Sequence, residues 1–264
     1  MDYQTLLQQS LPVVEEAAAF IRSQAGKVSE QEVETKEHNS LVSYVDKTAE
    51  EILVNGLRSI LPEAGFITEE ETTLQVESNY TWIIDPLDGT TNFLQNIPFY
   101  CVSVGLTHNG ELVVGIVSDV VHQETYYAWK GGGAWCNGVQ ISVSDRASVV
   151  DAVVATGFPY AALNVSQSLV DVFEYFLKNA RGMRRLGSAA LDLAYVACGR
   201  FDIYYETSLN AWDIAGGILL VKEAGGSVSD FTGGQLMLDN GQVISANARM
   251  FPEASAIIRK FFNP

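Results

Sequence analysis

Several absences narrow the possible functions of this 264-residue chain. No stretch offers the roughly 18 uncharged apolar residues that a membrane-spanning helix needs. The opening MDYQTLLQQSLPVVEE has neither the basic start nor the apolar core of a signal peptide. Internal repeats and low-complexity tracts are also missing. These absences predict a cytoplasmic protein that has no membrane partner and folds as a compact unit.

Cysteines and basic residues are both scarce. Cys101, Cys136 and Cys198 lie far apart and match no metal-ligand spacing, which favours reduced thiols packed as small apolar groups. Only 16 Lys and Arg residues accompany 32 Asp and Glu residues, so the formal net charge is −16. Because such a chain repels a polyphosphate backbone, we expect no direct nucleic-acid partner. A small anionic ligand would need divalent cations between itself and the carboxylates.

The N-terminal part of the chain predicts two helices and then a sheet. Apolar residues recur at helical spacing in the opening segment, where we expect Pro12 to kink the helix or restart it. A second helix is predicted around Asp46, whose carboxylate is favoured near a helix N-terminus. Four β-rich runs between residues 79 and 130 predict an antiparallel sheet, in which Asn109-Gly110 forms a two-residue hairpin turn.

The C-terminal part alternates between strand and helix patterns. The strand patterns are VVDAVVATG at residues 149–157 and FDIYYE at residues 201–206. The helix patterns cover residues 165–179, 189–199 and 213–224, and the last two end at glycines. Sheets layered between helices, an α/β architecture, are therefore expected.

The segment TWIIDPLDGTTNF carries the strongest chemical signal. We expect an apolar strand to end at Asp85, because Pro86 cannot continue the ladder and favours an extended residue before it. Asp88 follows three residues later, so one turn can direct both carboxylates into one space. The Leu87 carbonyl is then free as a third oxygen. Such a set of oxygens suits a hard divalent cation.

The residues after this turn suggest an anion site beside the cation site. Gly89 allows the backbone to approach a ligand closely, and consecutive N–H groups from Gly89 and Thr90 can hold phosphate oxygens. The alternative is plain turn chemistry, since Asp, Pro and Gly dominate turns for backbone reasons alone. Glu69 follows the apolar run GFIT, and Asp213 begins a predicted helix. Taken singly, these two acids fit a solvated face and a favourable helix-start charge.

The order of the motifs shifts the balance toward a metal site. GFITEE, WIIDPLDGTTNF and WDIAG followed by EAGG resemble the inositol monophosphatase family, and the similarity runs from the first helix to Asn247. The resemblance implies an αβαβα sandwich of the inositol monophosphatase and fructose-1,6-bisphosphatase type. It implies a single unit over residues 1–264. Residues 1–145 would form a metal- and phosphate-binding half, and residues 146–264 a half that completes the substrate site and second metal site.

The same resemblance implies a set of metal ligands and catalytic residues. Two or three Mg²⁺ ions would be held by Glu69, Asp85, the Leu87 carbonyl, Asp88 and Asp213. Asp46 would lie beside Thr90, and this pair would orient and deprotonate the attacking water, with Glu69 as a further catalytic residue. The segment before Asp46 departs from the usual family pattern, because Ser40-Leu-Val-Ser43 stands where Asp-x-Val-Thr is common.

The implied reaction is hydrolysis of a phosphate monoester of a small polyol. The substrate contacts carried over from the family are Asp88, Gly89, Thr90, Ala189 and Glu206. The resemblance points to inositol 1-phosphate as substrate, to lithium sensitivity and to a homodimer. Fructose 1,6-bisphosphate, NADP, a 3′-phosphoadenosine nucleotide and histidinol phosphate are alternative substrates. A non-catalytic protein-binding regulator is the alternative from another class.

Ser188 and the pair Arg184-Arg185 each fit two different roles. Ser188 precedes the predicted helix AALDLAYVA, so helix capping is at least as good an explanation for it as ligand contact, and it is left out of the site. The pair Arg184-Arg185 fits either an anionic substrate or a carboxylate across a subunit contact.

Overall fold

The computed structural model describes residues 2–29, 32–37, 40–76, 78–158, 166–235 and 237–262. The helices in these ranges are α1 Tyr3–Gln24, α2 Tyr44–Ile60, α3 Thr90–Leu94, α4 Gln167–Asn179, α5 Ala189–Ala197, α6 Ala211–Glu223, α7 Met237–Asn240 and α8 Phe251–Phe262. The strands up to residue 141 are β1 Val33–Glu37, β2 Ser40–Ser43, β3 Gly65–Thr68, β4 Tyr80–Asp88, β5 Cys101–His108, β6 Glu111–Asp119, β7 Glu124–Trp129, β8 Ala134–Cys136 and β9 Val139–Ile141. The later strands are β10 Val153–Thr156, β11 Gly182–Arg184, β12 Ile203–Glu206, β13 Gly226–Ser229 and β14 Val243–Asn247.

The elements stack in five layers of alternating helix and sheet. Helices α1 and α2 pack on one face of a seven-stranded sheet with the order β3-β4-β5-β6-β7-β8-β9. Helices α5 and α6 fill the space between this sheet and a five-stranded sheet with the order β11-β10-β12-β14-β13. Helices α4 and α8 cover the outer face of the second sheet. The αβαβα sandwich predicted for this chain is confirmed.

The seven-stranded sheet is an antiparallel meander with one parallel strand at its edge. Strands β4 to β9 pair in sequence order, and β3 pairs parallel to β4. The β5–β6 turn is the expected hairpin, because Asn109 and Gly110 have φ values of 52° and 80°, as a type I′ turn requires. The parallel pairing of β3 with β4 places Thr68 opposite Ile84, so the residues that follow both positions lie side by side.

Two local predictions are wrong, and of the two alternatives for Pro12 the restart of the helix is ruled out. Helix α1 runs without a break through Pro12, which lies on the exposed side where the lost hydrogen bond faces water. Strand β4 does not end at Asp85 but continues to Asp88 after an irregular step in the ladder. The segment 149–157 begins with a 3₁₀ turn at Val149–Asp151, so only Val153–Thr156 is a strand.

The helix predicted over residues 165–179 begins at Gln167, capped by Ser166, and residue 165 lies outside the described residues. Helices α5 and α6 match their predicted ranges to within about two residues.

Helix α6 lies close against the seven-stranded sheet because glycines line the contact. A Cβ atom on Gly115 would stand 2.5 Å from the Gly216 carbonyl oxygen, and one on Gly105 would stand 2.7 Å from the Ala215 Cβ. Nearer the start of α6, the Ser103 hydroxyl donates to the Trp212 carbonyl at 3.2 Å. This contact brings the N-terminal turn of α6 next to the part of β5 that pairs with Asp85.

The structure also bears on membrane-spanning helices and on the cysteines. In the part of the chain that the structure describes, no helix has the length and apolar character needed to cross a bilayer. All three cysteines lie within the described ranges and none forms a disulfide; Cys101 is fully buried.

Candidate active site

All four acidic residues predicted as ligands come together between β3, β4 and the start of α6: Glu69, Asp85, Asp88 and Asp213. The pKa of Asp85 lies well above its ordinary value, because burial disfavours its charge and Glu69, Asp88 and Asp213 add repulsion. The pKa of Asp213 is likewise raised well above its ordinary value, first by burial and next by the charge of Asp88. Glu69 reaches the group because its backbone N–H donates to the Ile84 carbonyl at 3.2 Å, beside Asp85.

An irregular step in β4 explains how two acids three residues apart can face the same way. Asp85 pairs with Ser103 and Asp88 with Cys101, so β4 carries one residue more than β5 over this interval. In a regular strand, residues i and i+3 point to opposite faces, and one inserted residue restores the same face. The Asp85 Oδ1 atom accepts the Leu87 N–H at 2.9 Å, which stabilises this bulge.

Thr90 connects the bulge to helix α2. Its hydroxyl oxygen lies 3.1 Å from Asp46 Oδ1 and 3.0 Å from the Leu87 carbonyl oxygen. A hydroxyl has one hydrogen, so Thr90 donates to one of these two acceptors at a time. The Leu87 side chain is buried in the core, which leaves its carbonyl on the Thr90 side.

Asp46 has two structural partners at once. Its Oδ2 atom accepts the Ser43 N–H and the Ser43 hydroxyl, each at 2.8 Å, and so stabilises the start of α2. Its Oδ1 atom faces Thr90. Burial raises the pKa of Asp46, and the hydrogen bonds from Ser43 and Thr90 oppose that rise. The helix-start role and the Thr90 contact therefore coexist, one on each carboxylate oxygen.

Asp88 is held by the N-terminus of α5. Its Oδ2 atom accepts the Ser188 hydroxyl and the Ala190 N–H, both at 2.7 Å. Burial raises the pKa of Asp88 to about 7, although these two hydrogen bonds lower it. The Ser188 oxygen also accepts the Leu191 N–H at 3.3 Å, so Ser188 caps α5 as expected. Sequence reasoning nevertheless missed its contact with Asp88, since nothing in a capping pattern shows which distant carboxylate receives the hydroxyl hydrogen.

Glu206 lies at the edge of the acidic group, at the end of β12. It is buried, its Oε2 atom accepts the Tyr204 hydroxyl at 2.7 Å, and burial raises its pKa to about 7. The positive charge of Arg185 lowers the pKa of both Glu206 and Asp88, so this exposed arginine stands on the side of the acidic group. Ala189 occupies the first position of α5, directly after Ser188.

Gly89 and Asn92 join the bulge to the C-terminal half. Gly89 has a φ of 96°, and a Cβ atom there would stand 3.0 Å from the Phe99 carbonyl oxygen, so glycine is required. The Asn92 side-chain amide donates to the Phe99 carbonyl at 2.7 Å and to the Leu186 carbonyl at 2.8 Å. Asn92, which sequence reasoning also missed, thereby ties α3 to the loop that delivers Ser188 to Asp88.

The chemistry of this group fits a hard divalent cation. Its donors are carboxylate and carbonyl oxygens, the type that Mg²⁺ and Ca²⁺ prefer. Burial and the charges of Glu69, Asp88 and Asp213 raise the pKa of Asp85, and a cation among these carboxylates would remove the repulsion. Within the described residues, no three His, Cys, Asp or Glu side chains already surround a single point as a finished ligand set.

The chain is similar to known proteins over most of its length. The sequence model of the inositol monophosphatase family matches residues 2–261. An inositol-1-monophosphatase from Mesorhizobium japonicum is 44% identical over 84% of this chain and 84% of its own length. Nus factor SuhB from Escherichia coli K12 is 39% identical over 86% of each chain.

The crystal structure of the extragenic suppressor protein SuhB from Bartonella henselae superposes with a TM-score of 0.92 at 35% identity, covering 97% of this chain and 99% of that one. The family model, the sequence relatives and the fold agree over nearly the whole length. The chain belongs to the inositol monophosphatase family.

Proposed function

We propose that the protein is a Mg²⁺-dependent phosphatase that hydrolyses the phosphate monoester of a small polyol, with inositol 1-phosphate as its preferred substrate. The observation that supports this best is the meeting of Glu69, Asp85, Asp88 and Asp213 in one partly buried group, next to the hydrogen bond from Thr90 to Asp46. A concentration of negative charge in the interior is costly unless cations balance it, and a phosphate ester brings more negative charge to the same place.

The ligands in this proposal are Glu69, Asp85, the Leu87 carbonyl, Asp88 and Asp213, for two or three Mg²⁺ ions. When bound there, Mg²⁺ would supply Lewis-acid stabilisation of the phosphoryl oxygens and lower the pKa of a water molecule. Asp88 would be kept in place by Ser188 and Ala190 while it binds the cation, since both donors lie on one of its oxygens.

The water-activating step is assigned to Thr90 and Asp46. As the attacking water loses a proton to Thr90 Oγ1, the hydroxyl proton of Thr90 moves to Asp46 Oδ1, 3.1 Å away. The raised pKa of Asp46 makes it a better base for this transfer than an exposed aspartate. The oxygen of the attacking water then forms the new bond to phosphorus as the bond to the leaving oxygen breaks. The leaving oxygen takes a proton from a solvent water molecule, and the proton held by Asp46 returns to solvent, so that the product is the neutral alcohol. Glu69 would hold the water on its other side.

Substrate binding is assigned to both halves of the chain. The backbone N–H groups of Gly89 and Thr90 would bind phosphate oxygens, next to Asp88. Glu206 would accept hydrogen bonds from vicinal hydroxyls of the polyol, and Ala189 would pack against its ring. We also propose that residues 1–264 act as a single unit, in a cytoplasmic homodimer that lithium inhibits and that has neither nucleic acid nor membrane as a direct partner.

A phosphate-release screen tests this function. Purified protein with Mg²⁺ is given inositol 1-phosphate, fructose 1,6-bisphosphate, NADP, adenosine 3′,5′-bisphosphate and histidinol phosphate in parallel. We expect the highest kcat/KM for inositol 1-phosphate and no release after EDTA treatment. If another ester of the set is preferred, the family activity stands and the substrate assignment is wrong. If folded protein with Mg²⁺ hydrolyses none of them, the enzyme proposal is wrong.

A regulator that acts through protein contacts is the second candidate function. It is favoured by the relative from Escherichia coli that carries the name Nus factor, at 39% identity. Deletion of the gene in its own host, followed by expression of Asp88→Asn, separates the two. Growth restored by this variant would support the regulator, whereas growth restored only by the wild-type chain would support catalysis.

A further inference from the structure

Helix α2 carries a second buried carboxylate, Glu50, one turn after Asp46. Glu50 is fully buried and accepts three hydrogen bonds from the segment that follows Glu69. Its Oε2 atom accepts the Glu70 N–H at 2.7 Å, and its Oε1 atom accepts the N–H and the hydroxyl of Thr72, each at 2.8 Å. Both carboxylate oxygens are therefore bound to one short piece of chain.

The shape of that piece of chain depends on this carboxylate. Glu71, between the two donor residues, has a φ of 53°, in the left-handed region that a residue with a Cβ rarely occupies. This conformation folds the backbone so that the N–H groups of Glu70 and Thr72 point at one acceptor. On the other side, the Glu69 N–H is bonded to the Ile84 carbonyl. Glu69 is thus held between strand β4 and helix α2.

We propose that Glu50 is a positioning residue that sets the place of Glu69 in the acidic group and so controls the affinity for Mg²⁺. The inference deepens the proposed function and rests on it. Residues i and i+4 lie on the same face of a helix, so Asp46 and Glu50 project from α2 in the same direction. Asp46 holds Thr90 and Glu50 holds the Glu69 segment, which means that one helix fixes the distance between the two parts of the site.

A purely structural role for Glu50 makes a different prediction. A buried carboxylate that only stabilises a loop would, when replaced, lower the melting temperature and leave Mg²⁺ binding unchanged. A positioning role predicts that Mg²⁺ binding weakens beyond any general loss of stability. Residues that orient a metal ligand typically change metal affinity by roughly 10–100-fold when removed.

Glu50→Gln is the direct test. The glutamine keeps the size of the side chain but places an NH₂ group against an N–H donor, so at least one of the three hydrogen bonds is lost. Two Mg²⁺ midpoints are measured. The first is the Mg²⁺ concentration that gives half of the Mg²⁺-induced rise in melting temperature. The second is the Mg²⁺ concentration that gives half-maximal hydrolysis of inositol 1-phosphate. We expect both to rise about 10-fold or more. Leu53→Ala, in the same helix and equally buried, is the matched control. It should lower the melting temperature but shift neither Mg²⁺ midpoint by more than about 2-fold.

A second pair of variants keeps the test decisive if Glu50→Gln does not fold. Thr72 is exposed, so Thr72→Val removes only the hydroxyl hydrogen bond to Glu50, and Thr72→Ser keeps it. We expect a rise of about 3-fold in the Mg²⁺ midpoints for the valine and none for the serine, in line with one modest hydrogen bond. If the wild type responds to Mg²⁺ and the folded variants share its midpoints, the inference is overturned while the proposed function stands. If the wild type shows no response to Mg²⁺, both are overturned.

Discussion

The two halves of the chain contribute to the site in different ways. In residues 1–145, Glu69, Asp85 and Asp88 are placed by backbone pairing: β3 lies parallel to β4, and the β4 bulge turns the two aspartates to one side. In residues 146–264, Ser188 and Asp213 arrive at the first turns of two helices, α5 and α6. The first half therefore holds three of the four clustered acids, and the second half adds single groups to them.

This difference suggests a division of labour between the halves. The acids of the first half lie beside Gly89 and Thr90, the proposed phosphate contacts, so they are suited to the reacting group that all substrates share. Glu206 of the second half lies near enough to Asp88 to feel its charge, and Ala189 follows Ser188, which binds Asp88; we place the leaving alcohol beside them. We propose that the first half performs the chemistry and the second half selects the alcohol. The variants below test this division.

The largest effect is expected for Asp88→Asn in the first half. Loss of one carboxylate from the cation ligands should lower kcat/KM for inositol 1-phosphate about 1000-fold or more, since the bound cation stabilises the transition state by several kcal/mol. The Mg²⁺-free variant should melt at a higher temperature than the wild type, because a repelling charge has been removed from a crowded acidic group. Activity within about 10-fold of the wild type would contradict the assignment of Asp88.

A smaller loss is expected for Thr90→Val, which removes the hydroxyl and keeps the shape. Without proton transfer to Asp46, kcat should fall about 100-fold, the usual range for loss of general-base assistance. Thr90→Ser restores a hydroxyl at the same position and should recover most of the activity. Equal kcat values for the valine and serine variants would show that the hydroxyl takes no part in water activation.

Glu206→Gln should weaken activity only toward substrates whose leaving alcohol carries vicinal hydroxyls. We expect kcat/KM to fall about 10-fold for inositol 1-phosphate, the effect of one hydrogen bond to a charged group. For p-nitrophenyl phosphate, whose leaving group has no vicinal hydroxyls, kcat/KM should stay the same. An equal fall in kcat/KM for both substrates would mean that Glu206 acts on the phosphoryl group, which would contradict the proposed division between the halves.

The smallest effect concerns the pH dependence of stability. Burial raises the pKa of Glu206 from 4.5 to about 7 in the folded chain. Because the folded state binds this proton more tightly, the stabilising contribution is complete below pH about 4.5 and disappears as the pH rises through about 7. Between pH about 6 and 8, the free energy of unfolding of the Mg²⁺-free wild type should fall by about 1 kcal/mol relative to Glu206→Gln. Urea denaturation in EDTA measures this difference, and parallel pH profiles would refute it.

The sequence was sufficient for the architecture, and it placed in one motif three of the residues that we propose as ligands. Asp85, Leu87 and Asp88 stand in one segment, and the order of the motifs indicated the family. The backbone geometry of these segments could not be predicted from the sequence. Pro86 argued for a strand end, yet the ladder continues because a bulge absorbs the extra residue. Pro12 argued for a broken helix, yet its exposed side tolerates the lost hydrogen bond.

The contacts that the sequence did not reveal join residues far apart in the chain. Ser188 lies 100 positions from Asp88, and Asn92 reaches a carbonyl 94 positions away. Glu50 lies in an amphipathic helix where a glutamate would ordinarily face water, and only the fold shows its three donors from the Glu69 segment. Such contacts depend on how the layers stack, which local patterns of hydrophobicity and turns do not specify.

The most direct test of the account is a crystal structure of the protein grown with Mn²⁺ and inorganic phosphate, with anomalous data collected for manganese. We expect at least one manganese peak among Glu69, Asp85 and Asp88, and a phosphate whose oxygens contact both the metal and the N–H groups of Gly89 and Thr90. Manganese bound only elsewhere at saturating Mn²⁺, with no metal among these carboxylates, would contradict the proposed metal site.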